Sequence, residues 1–174
     1  MIIANTHKLD LDPNIDLIFE EPTSHYKEKI LKIDRVTKVV KGGKRLRFRA
    51  ILIVGDKISK VGLGVGKSSD INMAIEKASL SAQKKFIKIS HTKEYSIHKR
   101  CEFSASSSKI LIRPAKHGRG IIASGAIRAV LEMGGIKNAY GKQLGSKNML
   151  NNARATINAL AYLENTHGSF TLKQ

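Results

Sequence analysis

The sequence predicts an α+β protein of two small modules, and three observations carry that prediction. Charged and apolar residues alternate with period two over Arg45–Ala50, inside a stretch over 27–66 that two glycine-bearing turns divide into three antiparallel strands. Ile71, Ala74, Ile75, Ala78, Ala82 and Phe86 then recur at helical spacing. Beyond residue 93 the order two strands, helix, strand, helix describes an α+β or split βαβ sandwich. The 174 residues suffice for one domain, or two small ones, with a buried core.

Residues 1–26 stand apart. Asp10, Asp12, Asp16, Glu20 and Glu21 face only Lys8, and the stretch has neither the Arg of a transit peptide nor the apolar run of a signal peptide. It reads as an acidic extension, either contacting a neighbouring protein or an uninvolved tail. The first module is expected over 27–90. Ile30, Ile33, Val36 and Val39 suggest a short helical turn leading into the first strand. Lys41-Gly42-Gly43-Lys44 turns the chain, and Arg45, Arg47 and Arg49 then alternate with Leu46, Phe48 and Ala50, placing the guanidinium groups on one face and a core on the other. An apolar run to Val54, a turn at 55–59 and a return through 60–66 lead into a glycine loop. The helix follows over about 70–87, with Ser69 as N-cap and Asp70 in its first turn.

Residues 89–93 read as the junction. The second module, 91–165, shows strand signals at 94–101 and 109–113, a helix over 121–133 closed by Gly134-Gly135, a strand over 136–144 and a helix over 148–164. Residues 166–174 are left as a tail.

Charge narrows the function. The chain carries a net charge of +17, and outside the acidic extension thirty basic residues meet nine acidic ones over 148 residues. Within 27–60, twelve Lys or Arg meet only Glu28, Asp34 and Asp56. Such one-signed self-repulsion is offset by a polyanion, and nucleic acid is the obvious one. Binding should weaken by about 0.7–0.9 log units per phosphate contact per decade of salt. A membrane-surface protein would share the charge, but no lipid anchor, basic amphipathic helix or apolar run of about 20 residues is found. With no Trp, four Tyr and five Phe, base stacking is not the main mode of recognition. The lone Cys101 forms no intramolecular disulfide, points to a reducing compartment and reads as a half-buried strand residue.

Gly62-Leu63-Gly64-Val65-Gly66-Lys67-Ser68 invites a nucleotide-binding reading, but Val61 stands where the Walker pattern requires glycine, and Lys67 or Ser69 where the dinucleotide pattern requires its third. The glycines instead permit close backbone approach, to RNA or to the packed helix. Lys41-Gly42-Gly43-Lys44 is a hairpin turn or, given its flanking lysines, an exposed loop inserted between RNA helices. Lys116-His117-Gly118-Arg119-Gly120 is a strain-relieving loop or a contact surface. The six histidines show no metal-ligand spacing and no catalytic set emerges, so no cofactor, metal or enzymatic activity is expected.

Several of these residues also carry a resemblance. Val40-Lys41-Gly42-Gly43-Lys44, Ala50, Val54-Gly55-Asp56, residues 61–67, Ala74-Ile75-Glu76-Lys77-Ala78, Arg113-Pro114-Ala115, residues 118–123, residues 128–132 and Arg154-Ala155-Thr156-Ile157, in this order, resemble the bacterial-type small-subunit ribosomal protein five family over roughly residues 27–163. The resemblance implies a fold similar to a double-stranded-RNA-binding domain in the first module, and a ribosome in a bacterial cytoplasm or an organelle such as the plastid stroma. It implies small-subunit rRNA as partner, with Val40 to Lys44 contacting it near the neck and head, where changes in the family are linked to spectinomycin resistance. Gly120 and Arg128 would lie at or near ribosomal protein four and bear on decoding accuracy. Protein eight and the messenger entry region would lie nearby.

The expected phosphate contacts are Lys41, Lys44, Arg45, Arg47, Arg49, Lys60 and Lys67, with Gly42 and Gly43 at the turn. Arg119 and His117 are more basic than the family usually shows there, which suggests a further RNA surface that includes Lys116 and Arg119. Met149 replaces the family's usual proline, and Ser104 to Ser108 occupy a turn that commonly holds glycine. The competing functions are a free-standing double-stranded RNA-binding module and, more distantly, a nucleotide-dependent enzyme.

Overall fold

A computed structural model describes residues 26–168; the acidic extension before Tyr26 and the tail after Gly168 lie outside the described residues. The first sheet runs β1 (Lys27–Val40), β2 (Gly43–Gly55), β3 (Lys60–Ser68) and β4 (Ile87–Lys88), antiparallel and in that spatial order. Three long strands are thus joined by a two-residue fourth. Residues 27–40 are strand throughout, so the short helical turn expected at the start of this stretch does not form there. Apart from a bulge between Ile30 and Lys32, β1 pairs with β2 along its whole length, and that ladder overrides the local spacing.

No glycine loop follows β3 either. Gly62, Gly64 and Gly66 lie within the strand, and their common face is pressed against α1 (Ile71–Gln83), where added methyl groups would strike the carbonyl oxygens of Ala82, Ala78 and Ala74 respectively. Two strand residues advance about 6.7 Å and four helical residues about 6 Å, so glycines at every second position meet alanines at every fourth. The close approach is therefore to the helix. Asp70, not Ser69, is the N-cap, its Oδ1 accepting from the Ile71 N–H at 2.8 Å. The helix ends before Phe86, which packs instead on Tyr26 with ring centroids 4.7 Å apart.

β2 is covered on both sides, as its apolar run suggests. Ala50, Leu52 and Val54 pack with Ala74, Ala78 and Ala82 of α1. Ile53, with Val61 of β3, instead joins Ile89, Val130, Leu131, Met133 and Ile136 in the core of the second half. The two modules therefore share a core. The Lys57 N–H donates to Met133 O at 3.0 Å, Lys29 Nζ pairs with Glu132 Oε2 at 2.6 Å, and the junction residue Ile89 is buried, its N–H donating to Ser59 O at 2.7 Å.

The second half contains β5 (Cys101–Ala105), β6 (Ser108–Pro114), β7 (Ile121–Ala123), α2 (Gly125–Met133), β8 (Ala139–Gln143) and α3 (Met149–Gly168), in the sheet order β5-β6-β8-β7. The α+β class stands, with three differences from the sequence reading. Residues 94–100 are not a strand, because Tyr95 O accepts from the N–H groups of Lys137 and Asn138 and the chain wraps that corner, leaving only a Ser96–Asn138 bridge. The helix expected from residue 121 starts at Gly125, since residues 121–123 pair in parallel with β8. That makes β7 and β8 direct neighbours, so no strand splits the βαβ unit. Cys101 is buried rather than half-buried, and burial pushes its thiol up.

Pairing of Ala105 with Ser108 settles the placement of the serine-rich turn: Ser106 and Ser107 are its tip, and Ser106 has φ +53°. That conformation costs a residue with a side chain about 1 kcal/mol or more and glycine almost nothing. Ser106→Gly is accordingly expected to raise unfolding stability by about 0.5–1 kcal/mol in urea titration, the gain being trimmed by the entropy of an added glycine.

Candidate nucleic-acid interface

Because β3 ends opposite Phe48, residues 37–46 of β1 and β2 continue outward as a two-stranded ribbon with no third strand. Its tip is the Lys41-Gly42 turn, where Gly42 adopts φ +87°. Among the described residues nothing covers this ribbon: Val39 is 75 % exposed and Leu46 46 % exposed. The apolar row of β2 is thus core only from Phe48 inward, since α1 does not reach beneath Leu46. A bare two-stranded ribbon is marginal in water, and two uncovered apolar side chains on it need an occupant.

Strand register decides which cations meet. Arg45 lies directly opposite Lys38, Arg47 opposite Val36, and Arg49 opposite both Asp34 on one side and Lys67 on the other. All share one face. Val36, Thr37, Lys38, Val40, Arg45, Arg47 and Lys67 line a shallow groove of about 360 Å³. Like charges directly opposite on a sheet destabilise it, so the Lys38–Arg45 pair is a cost that an anion would remove.

Arg49 behaves differently from its neighbours. Its Nη2 donates to Asp34 Oδ2 at 2.6 Å, while Lys32 Nζ pairs with Asp34 Oδ1 at 2.7 Å. These hydrogen bonds, from Lys32 and then Arg49, hold the Asp34 carboxyl below its ordinary value against the opposing effect of burial. A lowered carboxylate adds stability above its unfolded pKa and loses it as pH falls through the folded value. Asp34→Asn should therefore lower the melting temperature near neutrality and flatten the acid limb of a profile taken from about pH 6 down to about pH 2, where variant and parent converge.

The remaining predicted contacts are scattered. Lys41 and Lys44 sit at the ribbon tip, with Lys44 on the face opposite the arginines, beside Val39. Lys60 stands opposite Lys88 at the far end of β3, seven residues and about 23 Å from Lys67. It does not belong to the arginine patch. Gly66-Lys67-Ser68 lies in the ladder of β3, so its amides are not arranged as a phosphate loop.

A second basic cluster surrounds the loop before β7. Gly118 and Gly120 have φ +79° and +73°, and the Gly120 N–H donates to Asn138 Oδ1 at 3.1 Å. Arg119 Nε donates to Tyr140 OH at 2.8 Å, and Arg128 Nη2 donates to Ile121 O at 3.0 Å. Lys116, His117 and Arg119 line a cavity of about 600 Å³ together with Arg113 and Tyr140. Sequence reasoning did not single out Lys38, which lines the ribbon groove, or Arg113 and Tyr140, which line the second cleft. The alternation of β1 and β6 carried a signal, but only register shows which residues stand opposite one another. Among the described residues no cluster of metal-ligating side chains occurs and no helix is long and apolar enough to cross a membrane.

Comparison with known proteins finds matches over both halves of the chain. The family described as "Ribosomal protein S5, N-terminal domain" matches residues 26–90, and "Ribosomal protein S5, C-terminal domain" matches residues 104–168. The chain is 48 % identical over 144 residues to the small ribosomal subunit protein uS5c of Gracilaria tenuistipitata var. liui, spanning 83 % of this chain and 84 % of that protein. It is 50 % identical over 137 residues to the uS5 protein of Crocosphaera subtropica, 79 % of each. It is also 50 % identical over 135 residues to the uS5c protein of Spinacia oleracea, 78 % of this chain but 44 % of the longer spinach protein.

Proposed function

The chain belongs to the ribosomal protein S5 family, a structural, non-enzymatic component of the small ribosomal subunit in a bacterial cytoplasm or an organelle, and from that premise we propose that its projecting ribbon is the principal rRNA contact. The observation that carries this reading is the Lys38–Arg45 juxtaposition on an uncovered two-stranded ribbon, flanked by Arg47 and Lys67. Phosphates would occupy the groove, and Val39 and Leu46 would meet the sugar and base edges between RNA helices. Lys41 and Lys44 would contact phosphates at the tip. Arg49 contributes more to holding the ribbon through Asp34 than to binding.

Residues 27–90 and 91–165 would act as two lobes bracing rRNA near the messenger entry side, with residues 1–26 and 166–174 as extensions. Gly120 and Arg128 flank the free edge of β7, which suits a protein neighbour; ribosomal protein four is proposed there, with protein eight elsewhere on the second lobe. Through that first neighbour the chain would support decoding accuracy.

Replacing Lys44, Arg45, Arg47 and Lys67 together by Gln tests the ribbon. Affinity for a small-subunit rRNA fragment should fall about 30-fold at low salt, and the slope of log K against log salt should flatten by roughly 3. An unchanged slope would overturn the assignment. A free-standing duplex-binding module would remain in the soluble pool at high salt rather than co-sediment with small subunits.

A further inference from the structure

We propose that the outer face of the second sheet is a docking surface for single-stranded RNA, with one base stacked on the Arg113 guanidinium and adjacent phosphates met by Arg119, Lys116 and Lys142. The inference rests on the chain being an RNA-bound component of the small subunit, and it adds a second RNA class to the one proposed for the ribbon. One face of this sheet is closed: Ile110, Ile112 and Ala139 are buried in the shared core, and Gly141 lies against Ile127 of α2. The other face presents Lys109, Leu111 and Arg113 of β6, Tyr140 and Lys142 of β8, and Ile122 of β7, which is 53 % exposed.

Register places Arg113 directly opposite Tyr140, and Tyr140 opposite Ile122. The Arg113 guanidinium carbon lies 4.6 Å from the Tyr140 ring centroid, while Arg119 holds the ring's hydroxyl. Two arginines are therefore gathered about a single aromatic ring. Arg113 is itself exposed beside the ring, and clefts of about 600 and 350 Å³, both lined by Arg113 and Tyr140, adjoin it, so a base entering either cleft can meet the guanidinium.

The chemistry favours RNA over an acidic peptide. A carboxylate seeks the in-plane N–H fork of arginine, whereas a nucleobase seeks the flat face, here bordered by apolar Leu111 and Ile122. Glu102, on the same face, is already paired with Lys109 at 2.8 Å, so the surrounding potential is positive. Single strands fit because duplex bases are stacked on one another and offer no free plane. A one-base platform is also compatible with a chain so poor in aromatic residues.

The test uses the full chain with a 12-nucleotide oligouridylate and, separately, an RNA duplex of equal length. Arg113→Gln and Tyr140→Leu should each weaken oligouridylate binding about tenfold and leave duplex binding within twofold, while the quadruple ribbon variant should show the reverse pattern. Arg113→Lys keeps the charge and removes the flat guanidinium, and is expected to lose nearly as much as Arg113→Gln. Parental oligouridylate affinity in Arg113→Lys or Tyr140→Leu would overturn the proposal. So would displacement of oligouridylate by polyglutamate at lower concentration than by unlabelled oligouridylate, which would identify an acidic protein segment as the occupant. Failure of the ribbon variant alone would count against the ribbon reading and leave this one standing.

Discussion

Gly64→Ala should cost about 3–5 kcal/mol, enough to unfold much of a marginally stable domain, and a urea titration monitored by circular dichroism should show the midpoint fall accordingly. The methyl group would land on the Ala78 carbonyl oxygen, with the Ala82 amide nitrogen 2.8 Å away. Both obstacles are helix backbone, which cannot swing aside as a side chain could. Relief requires lifting α1 off β3, which opens contacts with Ala50, Leu52 and Val54 as well. Ordinary overpacking costs about 1–3 kcal/mol because side chains yield; here they are not what is struck. Gly125→Ala is the matched control, since nothing lies within 4 Å of a methyl group there and its backbone is at negative φ in the first turn of α2. It should be nearly neutral.

Ile53→Ala is expected to remove about 3–4 kcal/mol, through lost transfer free energy and a cavity between two well-packed layers. More telling is how the loss is distributed. Ile53 is fully buried on the first sheet yet packs with Val130, Leu131 and Ile136 of the second half. Hydrogen exchange at Ala78 of α1 and at Leu131 of α2 should therefore accelerate together, as one cooperative unit. Faster exchange at Ala78 with unchanged protection at Leu131 would mean that the halves unfold separately and that the common core contributes little.

Much of this architecture was legible because its signals are local. The hairpin at Lys41–Gly42, the three long strands, α1, the Gly134-Gly135 stop and α3 follow from period, turn chemistry and capping residues acting over a few positions. What failed was non-local. The segment 94–100 has strand-like composition but follows hydrogen bonds to Lys137 and Asn138, forty residues further on. Residues 121–123 look helical until β8 offers them a partner. The arginine row was visible in sequence, but not that Asp34 neutralises Arg49, that Lys38 joins Arg45, or that Lys60 lies at the other end of the strand.

By itself the sequence determined the kind of molecule this is: a cationic α+β chain whose ordered signature places it in one ribosomal family and whose charge demands a polyanion. Those properties depend on composition and short-range order, which survive without coordinates. Only the tertiary structure decided which cations share a face, that the glycines of β3 serve the helix rather than a ligand, and that the two halves close around one core. Each of those depends on register or on packing between distant segments, and neither is written in the spacing of neighbouring residues.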